Sequence, residues 1–511
     1  MTDSRKTPSR MAPTQVGLPL DKTDSERPAP KKKRRGPPNR MNDLSYKVWM
    51  RFQKSFFRFV STQSLMEECV YFFTKRVWPD GTPSRSLIIG FSDFNADAIP
   101  APRVLDVSVR VESLASVVDI LRAAVSDGRK YDFALIDLRP HIQDEASVID
   151  FLDHHSCHMF RALRTLLVRD RYCGVVVGMG EAGGGTGFPL AWTVALECRR
   201  YLRLRDEKVA LVESEGQVFY CLFMQAQDDK RPAHALSPQS LYVAKRCPRI
   251  PAWTIPKPPP RKPNEILHPA KFPETLVTQF IELFTTPGQR VLDPMVGTGS
   301  TVVAALQTGR HGYGVDLIPE FVRIANGRVA RVKDRTLIDR ELASLRATVV
   351  QGDATRLNEV AELNGVDFHY VITSPPYWSM LTNRGSEYQR GRRRRGLRLV
   401  YSHDERDLGN EPDYDRFLDL LVNVYSQVAA KLVGGGYLTV VVKNVKRKHV
   451  VYPLAWDLVR GLCGHNGDYE YVGATLWCQD DVPLKPFAVG THWVSNTLHH
   501  YCLHMRKRSN S

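Results

Sequence analysis

The sequence predicts an α/β protein organised around a mostly parallel sheet, on three observations. Apolar runs in the C-terminal half each lead to an acid or a rigid polar corner: Val291-Leu292-Asp293, Gly312 to Asp316, Ala347 to Gln351 before Asp353, and Phe368 to Ile372 before Thr373-Ser374-Pro375-Pro376-Tyr377-Trp378. Helical patterning fills the intervals, the alternation expected of strands joined by crossover helices. A similar pattern occupies residues 85 to 226, so the sheet is expected twice.

At 511 residues the chain is too long for one ordinary core, and two globular domains with tails are expected. The formal net charge of +16 favours a polyanionic partner. Nine cysteines are scattered without a CxxC pair, so neither a metal site nor a disulfide framework is indicated, and a reducing compartment is expected. No apolar run reaches membrane-spanning length and the first residues lack a signal-peptide pattern; the expectation is a soluble cytoplasmic protein without a membrane partner.

Residues 1–40 carry Ser, Thr, Pro, Lys and Arg with almost no aliphatic clustering and read as a disordered basic arm, with Lys31 to Arg35 a compact phosphate-seeking run. Residues 41–228 read as a first α/β domain. Trp49, Phe52, Phe56 and Phe59 stand at helical spacing with cations between them, which predicts core rings on a helix. Strands are expected over Ser86 to Phe91 and Tyr131 to Ile136, with a helix over Leu114 to Val125. Several strings repeat later in the chain: Asp132-Phe133 matches Asp367-Phe368, Phe188-Pro189-Leu190-Ala191-Trp192 matches Tyr452 to Trp456, and Tyr220-Cys221-Leu222 matches Tyr501-Cys502-Leu503. Aligning the Asp-Phe pairs without gaps sets Leu138 to Ile142 against Thr373 to Tyr377. The polar corner is then missing, and the first copy is expected to be degenerate and silent. The glycine-rich stretch from Gly178 to Gly187 lacks a strand-loop-helix context and reads as a connection.

Residues 229–264, with Pro258-Pro259-Pro260, read as a proline-rich linker. The second domain, 265–507, opens with Phe272 and an amphipathic helix. Asp293-Pro294-Met295-Val296-Gly297-Thr298-Gly299-Ser300-Thr301 then joins a strand to a helix, and its glycines permit close backbone approach to a ligand. Asp316 ends the next strand, where a carboxylate receives two ribose hydroxyls, with Leu317 and Ile318 placed to flank a ring; Asp353-Ala354 ends the third. At Ser374 the sheet must stop, because Pro375 and Pro376 cannot donate to a ladder. The hydroxyl of Ser374 and the carbonyl of Pro375 accept from an NH2 group, and Tyr377 offers a stacking face. Arg392, Arg393, Arg394 and Arg395 come next on the loop leaving that corner, suited to phosphate contact, with Trp378 beside the corner as a further nucleic-acid contact.

On these motifs the second domain resembles the amino-methylating DNA methyltransferases, whose catalytic motif is Asp, Asn or Ser followed by Pro-Pro-Tyr. The Ser form with a trailing Trp is most often found in the N4-cytosine branch. The resemblance implies a Rossmann-like methyltransferase sheet, mostly parallel with an antiparallel end strand, and a degenerate methyltransferase-like domain ahead of it. It also implies S-adenosyl-L-methionine as cofactor, held by Phe272, Asp293, Pro294, Gly297, Thr298, Gly299, Ser300, Thr301, Asp316, Leu317, Asp353 and Ala354. Ser374, Pro375, Pro376 and Tyr377 would be catalytic. Double-stranded DNA is the implied partner, with a cognate restriction enzyme or other defence protein as a further one, and a nucleoid-associated location if the cell is prokaryotic. The readings left open are cytosine N4 or adenine N6 in DNA, a base amine in RNA, and a non-catalytic DNA-binding protein on the same scaffold.

Overall fold

A computed structural model describes residues 41–509 except 93, 180–187, 213–216, 232–240, 245–247, 257–271, 336–343, 379–401, 403, 448–449, 465–466, 480–483 and 485–492. The expected basic arm, the Gly178–Gly187 stretch beyond Met179, Pro258-Pro259-Pro260 and Arg392 to Arg395 therefore lie outside the described residues. Among the described residues, no helix is long and apolar enough to cross a membrane.

Two mixed sheets form the molecule. The first contains β1 (Phe56–Phe59), β2 (Arg85–Ile89), β3 (Val104–Ser108), β4 (Tyr131–Asp137), β5 (Leu167–Gly178), β6 (Arg203–Val212) and β7 (Gln217–Gln225). The second contains β8 (Trp253–Thr254), β9 (Arg290–Asp293), β10 (His311–Asp316), β11 (Ala347–Gln351), β12 (Phe368–Thr373), β13 (Leu432–Val442), β16 (Tyr469–Cys478) and β17 (His499–Lys507); β14 (Val445–Arg447) and β15 (Val450–Tyr452) make a separate hairpin. Their orders are β3-β2-β4-β5-β7-β6-β1 and β11-β10-β9-β12-β13-β17-β16-β8. Apart from β11 the two orders correspond strand for strand. The senses correspond too: only β7 and β17 run antiparallel to their neighbours on both sides.

The ladders give the register of this internal repeat. Val176 faces Cys221 as Val441 faces Cys502, and carrying this across the parallel strands sets Arg85 on Arg290 and Leu87 on Leu292. Equivalent bonds agree: the Arg85 N–H donates to Asp132 Oδ2 at 3.0 Å, and the Arg290 N–H to His369 Nδ1 at 3.3 Å. The gapless alignment is thus corrected by two residues. Asp132-Phe133 and Asp367-Phe368 sit at strand starts, where both ladders are irregular, and are poor landmarks. In the true register Asp137 stands where Ser374 does, while Ile88 and Val109 replace Asp293 and Asp316. Arg139 clamps Asp137 through Nε and Nη2 at 2.8–3.2 Å and lies over the Phe219 ring at 4.1 Å.

Two further expectations are corrected. The helix at the start of the first domain is short, Tyr46–Arg51, and Phe56 and Phe59 belong to β1, although all four rings are buried as expected. Part of the linker joins the fold: β8 pairs with β16 through Trp253 and Thr254, and Val243 bridges Tyr471.

The halves are joined by buried polar contacts centred on a run of four charged residues. In β6, Arg205, Asp206, Glu207 and Lys208 are all at most 2% exposed. Asp206 pairs with Lys446 and accepts the Ser495 N–H, and Asn444 Nδ2 donates to Glu207 at 2.7 Å. Burial of such charges is tolerable only when they are paired. The same crossing carries Trp493, from the segment between β16 and β17, into the first half. There it is fully buried against Phe52, Phe72, Phe73, Tyr172 and Phe223.

Candidate active site

The carboxyl ends of β9, β10, β11 and β12 surround one hollow, the place where open α/β sheets take ligands. It has about 610 Å³ of empty space, open to solvent, and is lined by Pro294, Met295, Asp316, Leu317, Ile318, Phe321, Asp353, Ala354, Ser374, Pro376, Arg406, Asp407 and Leu408.

The glycine turn is held from inside. Asp293 is 1% exposed; its Oδ2 accepts from Thr301 Oγ1 at 2.6 Å and its Oδ1 from the Met295 N–H at 3.1 Å. Gly299 has φ 85°, and a Cβ there would lie 2.8 Å from Ala325 Cβ, so glycine is required for conformation and space. Arg328 Nη1 donates to Thr298 O at 2.6 Å, and the guanidinium pairs with Glu274, tying the turn to helix Glu274–Phe284. The structure thus places Asp293, Gly297, Thr298, Gly299, Ser300 and Thr301 behind the wall of the hollow, with Phe272 buried in the adjoining core.

Asp316 faces the hollow. Its Oδ2 accepts the Gly297 N–H at 2.7 Å and its Oδ1 the Ile318 N–H at 2.9 Å, so each oxygen keeps acceptor capacity for a ligand. Burial is the main cause that lifts both Asp316 and Asp293 to a pKa of about 6. Asp353 Oδ1 accepts from Thr355 N–H and Oγ1 at 2.8 and 2.7 Å and caps the short helix Ala354–Glu359. It lines the hollow as well.

Ser374 closes the far side. Its hydroxyl donates to Val441 O at 3.1 Å, and the Tyr377 hydroxyl lies 3.3 Å from its Oγ. With its proton directed at a carbonyl, Oγ meets a ligand as an acceptor. Tyr377 is 5% exposed and its ring centroid lies 6.0 Å from that of His500. Trp378, expected as a nucleic-acid contact, is instead 3% exposed in a core cluster with Tyr414 and Tyr452, under the Arg447 guanidinium. Indole burial against two rings outweighs any surface role the sequence context suggested. Arg406, Asp407 and Leu408 were missed as lining residues. Asp407 is lifted above the ordinary carboxylate range by burial and adds to the rise of Asp316, so these two acids crowd one wall. A signal was present in Asp404 to Asn410, a capped turn of mixed charge C-terminal to the arginine run.

Known proteins share parts of this chain. Residues 221–327 match the N6/N4 methyltransferase family model, described as DNA methylase. The match runs from β7 through the glycine turn and Asp316 and stops short of Ser374. A 77-residue stretch is 39% identical to the Type II methyltransferase M.BglI of Bacillus subtilis, covering 15% of this chain and 21% of that protein. Similarly, 62 residues are 40% identical to M2.DpnII of Streptococcus pneumoniae (12% and 23%), and 68 residues are 41% identical to M.Cfr9I of Citrobacter freundii (13% and 23%). The aligned stretches thus span less than a third of these relatives' length. Among solved structures, the 16S rRNA N2 G1207 methyltransferase RsmC of T. thermophilus aligns over 84% of this chain and 89% of its own, at 13% identity and a TM-score of 0.25.

Proposed function

We propose that this chain is an S-adenosylmethionine-dependent DNA methyltransferase acting on the exocyclic amine of a base, with cytosine N4 as the target. The observation that carries the reading is the single hollow bounded by Asp316 and Asp353 on one side and Ser374 and Pro376 on the other. The family match over residues 221–327 and the three Type II relatives support the DNA methylase assignment, and the Ser form of the motif supports cytosine N4 over adenine N6.

The residues fit the cofactor. Asp316 keeps lone pairs for a ribose diol, Asp353 faces the same space, and Leu317, Ile318 and Phe321 supply apolar walls for a flat ring. S-adenosylmethionine, when bound, supplies an electrophilic methyl group. Ser374 Oγ accepts a hydrogen from the base amine and orients its nitrogen toward that group. The backbone carbonyl following it is the second acceptor, and Tyr377, bound to Ser374, fixes the corner. An amine gripped this way is kept from conjugating with its ring, so the gain comes from orientation and charge placement, with no strong base required.

The test is methyl transfer from tritiated S-adenosylmethionine to unmethylated plasmid DNA. Wild type should transfer; Ser374→Ala should lose transfer while S-adenosylhomocysteine still binds. Loss of both together, or of neither, would refute the role of the corner.

A further inference from the structure

The internal repeat provides a control for the active corner, because it shows what the same sheet positions carry when the corner is not in use. Three core residues of β12, β13 and β17, Ile372, Val441 and Cys502, pack on the side of the sheet covered by helix Glu274–Phe284. Side chains alternate along a strand, so Ser374, Lys443 and His500 project to that same side, beside Trp477. Lys443, His500 and Trp477 form one row across three strands at the end of the sheet that holds the hollow, and Ser374, opposite Val441 in the register, stands one step before it on β12.

In the first half the positions of this row are Gly178, Phe219 and Ala210, by the paired register Gly178 to Phe219 and Phe219 to Ala210, and Asp137, paired with Val176, takes the place of Ser374. An aromatic and two small residues therefore satisfy the packing there. Lys443 and His500 are costly replacements: a half-buried cation and a buried imidazole add nothing that glycine and phenylalanine do not provide for the sheet. His500 is 4% exposed, its ring is stacked on Trp477 with centroids 4.1 Å apart, and its Nδ1 is buried without a hydrogen-bond partner among the described residues. Lys443 Nζ has one long contact, to Thr497 O at 3.4 Å. Desolvation lowers its pKa to about 8, which still leaves it mostly charged near neutrality. Two of its three donors are unused among the described residues.

Resting on the methyltransferase reading, we propose that Lys443 is a base-binding residue that donates to the ring acceptor beside the target amine, with His500 and Trp477 as its rigid backing. Ser374 accepts from the amine on one strand and Lys443 donates on the next. A ring presenting an NH2 donor next to a nitrogen or carbonyl acceptor, as cytosine does along N4, N3 and O2, matches this pair. A ring whose edge reverses the order does not.

The experiment compares wild type, Lys443→Met and Lys443→Arg in methyl transfer to plasmid DNA, with S-adenosylhomocysteine binding measured in parallel. Lys443→Met should lower kcat/KM for DNA by roughly 10- to 100-fold, the cost of one lost base contact, with cofactor affinity within about twofold of wild type. Lys443→Arg should recover part of the loss, which a packing role would not allow. If Lys443→Met does not fold, Lys443→Gln takes its place with the same expectation. Unchanged DNA kinetics, or a parallel loss of cofactor binding, would overturn the role of Lys443 while leaving the enzyme reading standing. Wild type that binds cofactor but methylates no DNA would overturn both.

Discussion

Replacing Asp316 by Asn is the sharpest probe of the cofactor wall. The carboxylate accepts two backbone N–H groups, from Gly297 at 2.7 Å and Ile318 at 2.9 Å, and lines the hollow with its remaining lone pairs. An amide supplies one oxygen and one NH2, so one of the two backbone donors loses its acceptor and faces another donor. Hydrogen bonds to a charged group are worth about 1.5–3 kcal/mol, and a stranded buried donor costs a comparable amount. A loss of about 2–3 kcal/mol in binding is roughly 30- to 150-fold in Kd, at about 1.4 kcal/mol per decade. Calorimetric titration with S-adenosylhomocysteine measures this directly, and thermal unfolding without ligand reports the cost to the turn alone. The ribose hydroxyls need an ionised acceptor. With Asp316 lifted to about 6, affinity in the wild type should therefore weaken as pH falls below 6, and the Asp316→Asn variant should lack that dependence. An unchanged Kd in Asp316→Asn would refute the assignment, even if the melting temperature fell.

Asp293 and Asp316 also set a pH trend in stability. Both have folded pKa values of about 6 against an ordinary value of 3.8. The stability they contribute is therefore full below about 4 and lost as pH rises through 6. The unfolding free energy of wild type minus that of Asp293→Asn should fall over this window by on the order of 3 kcal/mol, since the folded and unfolded pKa values differ by about two and each pH step of one is worth about 1.36 kcal/mol. Chemical denaturation giving a flat or rising difference would contradict it. Trp493→Ala should cost about 3–5 kcal/mol, the usual loss for a buried indole. Because Trp493 comes from the second half and sits in the first half's core, the two halves should then unfold in separate steps, and a single shifted transition would argue against such coupling.

Local features of the chain were legible in the sequence, and features made by distant pairings were not. The end of β12 could be read because two prolines forbid a ladder wherever they fall. The acids ending β9 and β10 could be read because the residues just after each strand, Pro294 and Leu317-Ile318-Pro319, break the ladder pattern and mark its last position. The burial of Trp378 could not, since its partners Tyr414 and Tyr452 arrive from other elements. The burial of Arg205 to Lys208 was not legible either, since the partner of Glu207 lies 237 residues away, and Lys446, which takes Asp206, 240. Asp293 has the position of a ligand contact and the bonds of an internal strut. The repeat was visible in Tyr-Cys-Leu and Pro-Leu-Ala-Trp, whereas its register needed the β5–β7 and β13–β17 ladders. Only those ladders set Lys443 opposite His500, one step past Ser374.

The central claim is that the hollow between Asp316 and Ser374 carries methyl transfer to a base amine in DNA. Mass spectrometry of DNA nucleosides from cells expressing the full chain tests it most directly, with cells expressing Ser374→Ala as the reference. The account predicts N4-methylcytosine in the first and none above background in the second. N6-methyladenine in its place would correct the base and leave the site intact; no new methylated base in either, from protein that binds S-adenosylhomocysteine, would contradict the account.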